Sequence, residues 1–244
     1  MGSHPRETDE ARQEVLERVR RFVLNAKKLI EEISADELVE KGGVNPYMAK
    51  ALGMRTIDEV VEFFVSRRVE RSLGTSFGNV LDDVIRILLG GVRGKDLTAE
   101  YGEWIKWWDI VLPGERVVIS VKSGPADMDK DQVVYFAQRA REAMEKDFRP
   151  YLVFAYGKRA FSVIENYLSK EGLDPKEYLR IGRGVFEEFL GDSSYYREVL
   201  RMFSTAGEEA GDIFELVEGK VRSLTDELKR RYGGDVDRML EDMF

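Results

Sequence analysis

The chain has no cysteine, and its single histidine is His4. Disulfides and thiolate metal centres are therefore excluded. So are Ser-His-Asp hydrolysis, His general bases and phospho-His intermediates. Catalysis has to rest on carboxylates, Lys, Arg, Tyr or hydroxyls. Asn and Gln are also scarce, whereas 34% of residues are charged. Few thermolabile side chains beside many ionic ones is the profile of a thermophile protein, with an expected melting midpoint above the roughly 45–65 °C of mesophile domains. No apolar run of 18 residues is present, and no secretory leader or internal repeat is visible, so a cytoplasmic protein without membrane partners is expected. The net charge of −8 argues against a protein that coats polyanions generally, but leaves room for a local basic face.

At 244 residues the chain can hold one large domain or two small ones. Residues 1–4 read as an expression-tag remnant. Residues 5–72 read as a helical region packed on a core, 73–183 as an α/β core, and 184–244 as a C-terminal helical region. Residues 7–34 predict an amphipathic helix striped by Val15, Val19, Phe22, Val23, Ala26 and Ile30. Short helices are predicted over Pro46–Leu52 and from Ile57 to about Ser72. Thr75 or Ser76 then caps a further helix to Leu89, which ends at Gly90-Gly91. Strands are predicted near Asp96–Ala99, over Pro150–Ala155 and over Tyr178–Ile181, and helices over Lys130–Lys146 and Arg159–Ser169. The order implies a mixed sheet with helices on both faces.

The richest stretch is Trp108–Lys122, two strands around Pro113-Gly114. If Leu112 and Glu115 flank the turn, Asp109 sits opposite Val118 and shares a face with Ser120 and Lys122. Trp108, Ile110 and Leu112 then join Val117, Ile119 and Val121 in the core. An Asp and a Lys on one face suggest a metal-dependent phosphodiesterase: the Asp holds a divalent cation, and the Lys stabilises charge near an attacking water. A further acid can come from a helix. Asp82 and Asp83 lie on opposite sides of their helix's apolar stripe, so periodicity does not choose between them. Asp131 and Glu142 are rivals from the following helix. Arg67, Arg68 and Arg71 are candidate phosphate contacts, as are the backbone N–H groups around Ser123 and Gly124. Trp104, Trp107 and Trp108 read first as packing and second as base-stacking rings.

Asp109, twelve residues, then Ser120-Val121-Lys122 resembles the PD-(D/E)xK nuclease signature, with Trp108 in place of its Pro and Ser120 in place of its second acid. Asn45-Pro46-Tyr47, Ala51-Leu52-Gly53, the run from Val69 to Asn79, Val121–Pro125 and Lys130-Asp131 resemble type II restriction endonucleases of the TdeIII/MjaII-type group, over roughly residues 45 to 135. The resemblance implies a restriction-endonuclease-like core, Mg2+, double-stranded DNA with a GGNCC-like palindrome, and a homodimer. It also implies Asp109 and Lys122 as catalytic residues and Lys130 as a DNA contact. Gly78-Asn79-Val80-Leu81-Asp82 resembles the Gly-x-x-x-acid pattern of the first core helix in these nucleases, which favours Asp82 as catalytic residue and metal ligand. A repair or recombination nuclease of the same fold, or an inactive DNA-binding protein on such a core, are the competing readings. The terminal helices, with Met202, Phe203, Ile213, Phe214, Leu216 and Val217, are the expected dimer surface.

Overall fold

The computed structural model describes residues 9–244. The expected tag remnant at residues 1–4, and the first two residues of the helix predicted from residue 7, lie outside them. The first half contains α1 (Asp9–Glu32), α2 (Ala35–Val39), α3 (Pro46–Ala51), α4 (Ile57–Leu89) and α5 (Thr98–Tyr101). The centre contains β1 (Ile110–Leu112), β2 (Val117–Lys122), α6 (Lys130–Glu145), β3 (Arg149–Phe154), α7 (Ser162–Lys170), α8 (Pro175–Tyr178) and β4 (Leu179–Ile181). Helices α9 (Arg183–Leu190), α10 (Tyr196–Ala210), α11 (Ile213–Tyr232) and α12 (Val236–Glu241) follow. The chain is thus mostly helical around a small, open, mixed sheet. None of the described helices is long and apolar enough to cross a membrane.

Two compact units divide the chain at 19/20, 77/78 and 205/206. The second boundary lies near the expected 72/73; the third lies well beyond 183/184, so α9 and most of α10 belong with the sheet. The sheet unit has strand order β1-β2-β3-β4. Strands β1 and β2 are antiparallel, while β2, β3 and β4 run parallel. Both sheet faces are covered. Val111, Val118, Leu152 and Phe154 meet α6 through Phe136 and Ala140, and α7 through Ile164 and Leu168. Ile119, Val121, Tyr151 and Val153 meet Ile85 of α4 and Val185 of α9. This double burial explains the continuous apolar run of β3, which shows no alternation.

The helical unit is organised around Leu38, Val60, Val61, Leu228 and Met239, each inaccessible or nearly so. Ile213, Leu216 and Val217 pack on this core, and Met202 is buried within the sheet unit, so these members of the expected dimer surface are engaged within their own units. Phe214 remains 80% exposed.

Three local expectations are corrected. Asp109 does not face Val118: the register pairs Ile110 with Ile119 and Leu112 with Val117, which places Asp109 opposite Ser120. The cause is a longer turn. Pro113–Glu115 coil into a 3-10 turn, and Arg116 takes a left-handed conformation with φ 54°. That costly backbone state is offset by the Arg116 guanidinium, which donates to the carbonyls of Lys146 and Asp147 at 2.8 and 2.9 Å. The shift is two residues, so the side-chain parity of the strands survives. Trp108, however, packs with Val111, Val118 and Phe136 rather than with Ile110.

Secondly, Thr75 and Ser76 do not start a helix. Their hydroxyls donate back to the carbonyls of Arg71 and Ser72 inside the 33-residue α4. Serine and threonine satisfy their own hydroxyls this way when a helix runs through them. Thirdly, Asp96–Ala99 is not a strand. Gly94–Leu97 is a 3-10 turn leading into α5. Gly94 is wedged against backbone, since a Cβ there would lie 2.0 Å from the Ile105 carbonyl oxygen. The edge beside β1 is touched instead by a single bridge from Val92 to Val111.

Candidate active site

The carboxyl ends of β2 and β3 lie side by side, the usual location of sites in open α/β sheets. Lys122 is the last residue of β2, and Asp109 is the residue before β1. Both are half-buried. The Asp109 carboxylate accepts the Val121 N–H at 2.7 Å and, at 3.3 Å, the Ser120 hydroxyl. Ser120 therefore supports the acid instead of supplying a second one. Burial pushes the Asp109 carboxyl up, and the Val121 N–H, the Lys122 charge and the Ser120 hydroxyl pull it back, leaving it above the usual carboxylate range.

Asp82 reaches the same place from α4. Its carboxyl is pushed up to about 7 by burial and then by the Asp109 charge, against the opposing pull of Lys122. Asp82 has no hydrogen bond or ion pair with any described residue, and Lys122 has no ion-pair partner among them. Two carboxylates and an ammonium thus share one electrostatic environment without consuming one another. Asp82 and Asp109 line a cleft of about 340 Å³.

Asp83 points to a different task. It is 4% exposed and gathers Arg18 at 2.6 Å, Arg86 at 3.6 Å and Arg93 in a short ion pair. Burial opposes its ionisation, but the hydrogen bond from Arg93 and the charges of the three guanidiniums hold the carboxyl below its ordinary value. Three cations around one anion leave the cleft wall positive. Lys95 and Lys106 extend that wall. These basic residues were not singled out in the sequence. The signal available was the run Arg86, Arg93, Lys95 around Gly90-Gly91, which the tight turn folds onto one edge.

The other candidates separate. Asp131 is exposed in the first turn of α6, and Glu142 pairs with Arg139 at 2.9 Å; neither lines the cleft. Lys130 is exposed at the start of the same helix, whose N-cap is Asp129. The Gly124 N–H is taken by the Asp127 carboxylate at 2.8 Å, which corrects the expectation that it is open to a phosphate. Ser123 faces α4 closely: a Cβ on Gly78 would lie 3.4 Å from the Ser123 hydroxyl. Gly78 thus lets the helix pass the end of β2. Arg67, Arg68 and Arg71 belong to the helical unit. Arg68 is tied to Glu37 at 2.6 Å, Arg67 stacks over Phe63, and Arg71 is exposed.

The donor set suits a hard divalent cation. Two carboxylates beside an open, polar cleft leave coordination positions for water and for substrate oxygens, the arrangement in which Mg2+ is commonly held. The unpartnered, charge-frustrated Asp82 is the observation that fits: a cation there relieves both its desolvation and its repulsion by Asp109.

No protein-family model matches this chain, and a search of curated proteins finds no similar sequence.

Proposed function

We propose that the protein is a Mg2+-dependent phosphodiesterase on a PD-(D/E)xK-type core, a type II restriction endonuclease acting on double-stranded DNA at a short GGNCC-like palindrome. The observation that carries this reading is that Asp82 and Asp109 share a cleft with a basic wall, and that the Lys122 ammonium acts on both carboxyls. Asp82 also takes up the role that Ser120 leaves open, which favours an active enzyme over a decayed nuclease core.

Mg2+, when bound, supplies Lewis-acid polarisation of the phosphate and a more acidic water. Asp82 and Asp109 are the residues that hold it. Lys122, without an ion-pair partner among the described residues, is the group that would stabilise charge on the phosphate oxygens and the attacking water. Water adds to phosphorus and releases a proton to solvent, the bond to the leaving sugar oxygen breaks, and that oxygen takes a proton from solvent, leaving a phosphate monoester on one strand end and a hydroxyl on the other. Arg93, Lys95 and Lys106 hold the anionic backbone in register, with Asp83 fixing the orientation of Arg93.

One such cleft per chain reaches one scissile phosphate. A palindrome presents two related by a dyad, so the enzyme acts as a twofold homodimer. Digestion of a mapped plasmid with Mg2+, followed by sequencing of the ends, tests the reading. Discrete double-strand breaks at one palindrome are expected. Intact plasmid with Mg2+ and with Mn2+ overturns it. Light scattering with and without target duplex tests the dimer.

A further inference from the structure

Three tryptophans lie in one five-residue stretch, and the fold treats them differently. The Trp104 indole N–H donates to the Tyr101 carbonyl, and its ring packs on Phe148. Trp108 is 3% exposed against Phe136. Trp107 alone is left out, 48% exposed. It is joined by Tyr135 of α6, 44% exposed, with ring centroids 6.2 Å apart and nearly perpendicular planes. Two large rings from separate elements are thus held edge to face in solvent.

Two cations border the pair, Arg139 paired to Glu142 and Lys106 paired to Glu103. The Arg139 guanidinium lies 4.9 Å from the Trp107 ring and 5.0 Å from the Tyr135 ring. The Lys106 ammonium lies 5.1 Å from the Trp107 ring and bonds Glu103 at 2.6 Å. Lys106 also lines the acid cleft. A single flexible side chain therefore borders both the cleft and the ring pair.

We infer that Trp107 and Tyr135 form a stacking platform for one base of the nucleotide next to the phosphate in the cleft, so that a bound duplex gives up one base from its stack at the cleavage point. Flat rings beside cations suit a base attached to an anionic backbone. A base still stacked inside a duplex has both faces covered and cannot take the position. The inference rests on the cleft being a phosphodiester site.

The test is binding in EDTA at low salt, read by fluorescence polarisation of a labelled dT octamer and of an abasic octamer of equal length. The wild type is expected to bind dT about tenfold more tightly than the abasic strand, the scale of one base–aromatic stack. Trp107→Ala removes that preference and leaves abasic binding unchanged; Tyr135→Ala weakens it; Trp107→Phe retains most of it. Equal binding of the two oligomers by the wild type overturns the platform, as does an undiminished preference in folded Trp107→Ala and Tyr135→Ala. Should Trp107→Ala fail to fold, Tyr135→Ala and Trp107→Phe carry the test. Binding without metal does not use the acid pair for chemistry. A wild type that keeps the base preference but cuts nothing in Mg2+ therefore overturns the nuclease reading and leaves the platform standing.

Discussion

Asp82 and Asp83 are neighbours in the chain, about 100° of helix rotation apart, yet they meet opposite conditions. Asp83 is buried among Arg18, Arg86 and Arg93 and held ionised. Asp82 faces Asp109, has no described partner, and titrates near 7. One side of α4 spends its charge on holding the fold. The other keeps a charge unspent beside a cleft. A carboxyl pushed this far from its ordinary value in a cleft is a functional-site candidate. The same comparison explains why the basic wall persists next to the acid pair: the cations anchored on Asp83 outnumber it, and the excess faces the space where a phosphate would lie.

The sharpest break of this contrast is removal of the groups assigned to chemistry. Asp109→Ala and Lys122→Ala are each expected to lower Mg2+-dependent cleavage by about 10²–10⁴-fold while duplex binding changes little. Single-turnover cleavage of a target duplex, beside a binding titration, measures both. Near-normal cleavage by either folded variant would remove the site assignment. On the structural side, Asp83→Ala leaves three guanidiniums without their common anion. A loss of about 2–3 kcal/mol is expected, below the value for a fully buried pair because the arginines are partly exposed. Denaturant unfolding checks it, and an unchanged midpoint would refute the anchoring role.

Asp82 should behave with the opposite sign. Its carboxyl has a folded pKa of about 7 against an ordinary 3.8. Between those values the folded state binds more protons than the unfolded one. The contribution of Asp82 to stability therefore falls as pH rises from about 4 to 7, and is constant beyond. Asp82→Asn removes the penalty: it should match the metal-free wild type near pH 4 and exceed it by about 1–2 kcal/mol at pH 8. With saturating Mg2+ the order reverses, because the cation binds the wild type. Cation affinity of the wild type should fall about tenfold per pH unit below 7, as one proton competes for the site. Calorimetry at pH 6 and pH 8 reads this, and a flat profile would contradict the frustrated acid pair.

Much of this site can be read before folding, and the parts that cannot share a cause. The alternation in Val117–Lys122 sets the faces of β2, and the apolar run at Pro150 identifies β3, because period and length are local properties. The turn after Leu112 is not local: Arg116 accepts a left-handed backbone only because the carbonyls of Lys146 and Asp147, thirty residues on, receive its guanidinium. Thr75 and Ser76 look like caps, but α4 runs through them and their hydroxyls bond backwards. Asp82 and Asp83 are equivalent by periodicity. What separates them is the set of arginines that reaches Asp83 from α1 and from the turn after α4.

The smallest expected effect belongs to Ser120, which stands where an acid is found in the resembling nucleases. Its hydroxyl is 3.3 Å from the Asp109 carboxylate, long for an O–H···O bond, while the Val121 N–H holds the same oxygen at 2.7 Å. The backbone donor therefore does most of the positioning. Ser120→Ala removes one weak donor to a charged acceptor, worth about 1 kcal/mol, so cleavage should fall by less than about tenfold. The Asp109 carboxyl should also rise slightly, shifting the acid limb of the pH–rate profile upward. A different result would be informative in a specific way. If Ser120→Ala were as damaging as Asp82→Asn, the hydroxyl would have to meet the cation or the water itself, and the division of labour between β2 and α4 would need to be redrawn. The control is Ser120→Glu, which adds a third carboxylate to the site: it should raise cation affinity at pH 8 only if the ion sits between Asp82 and Asp109.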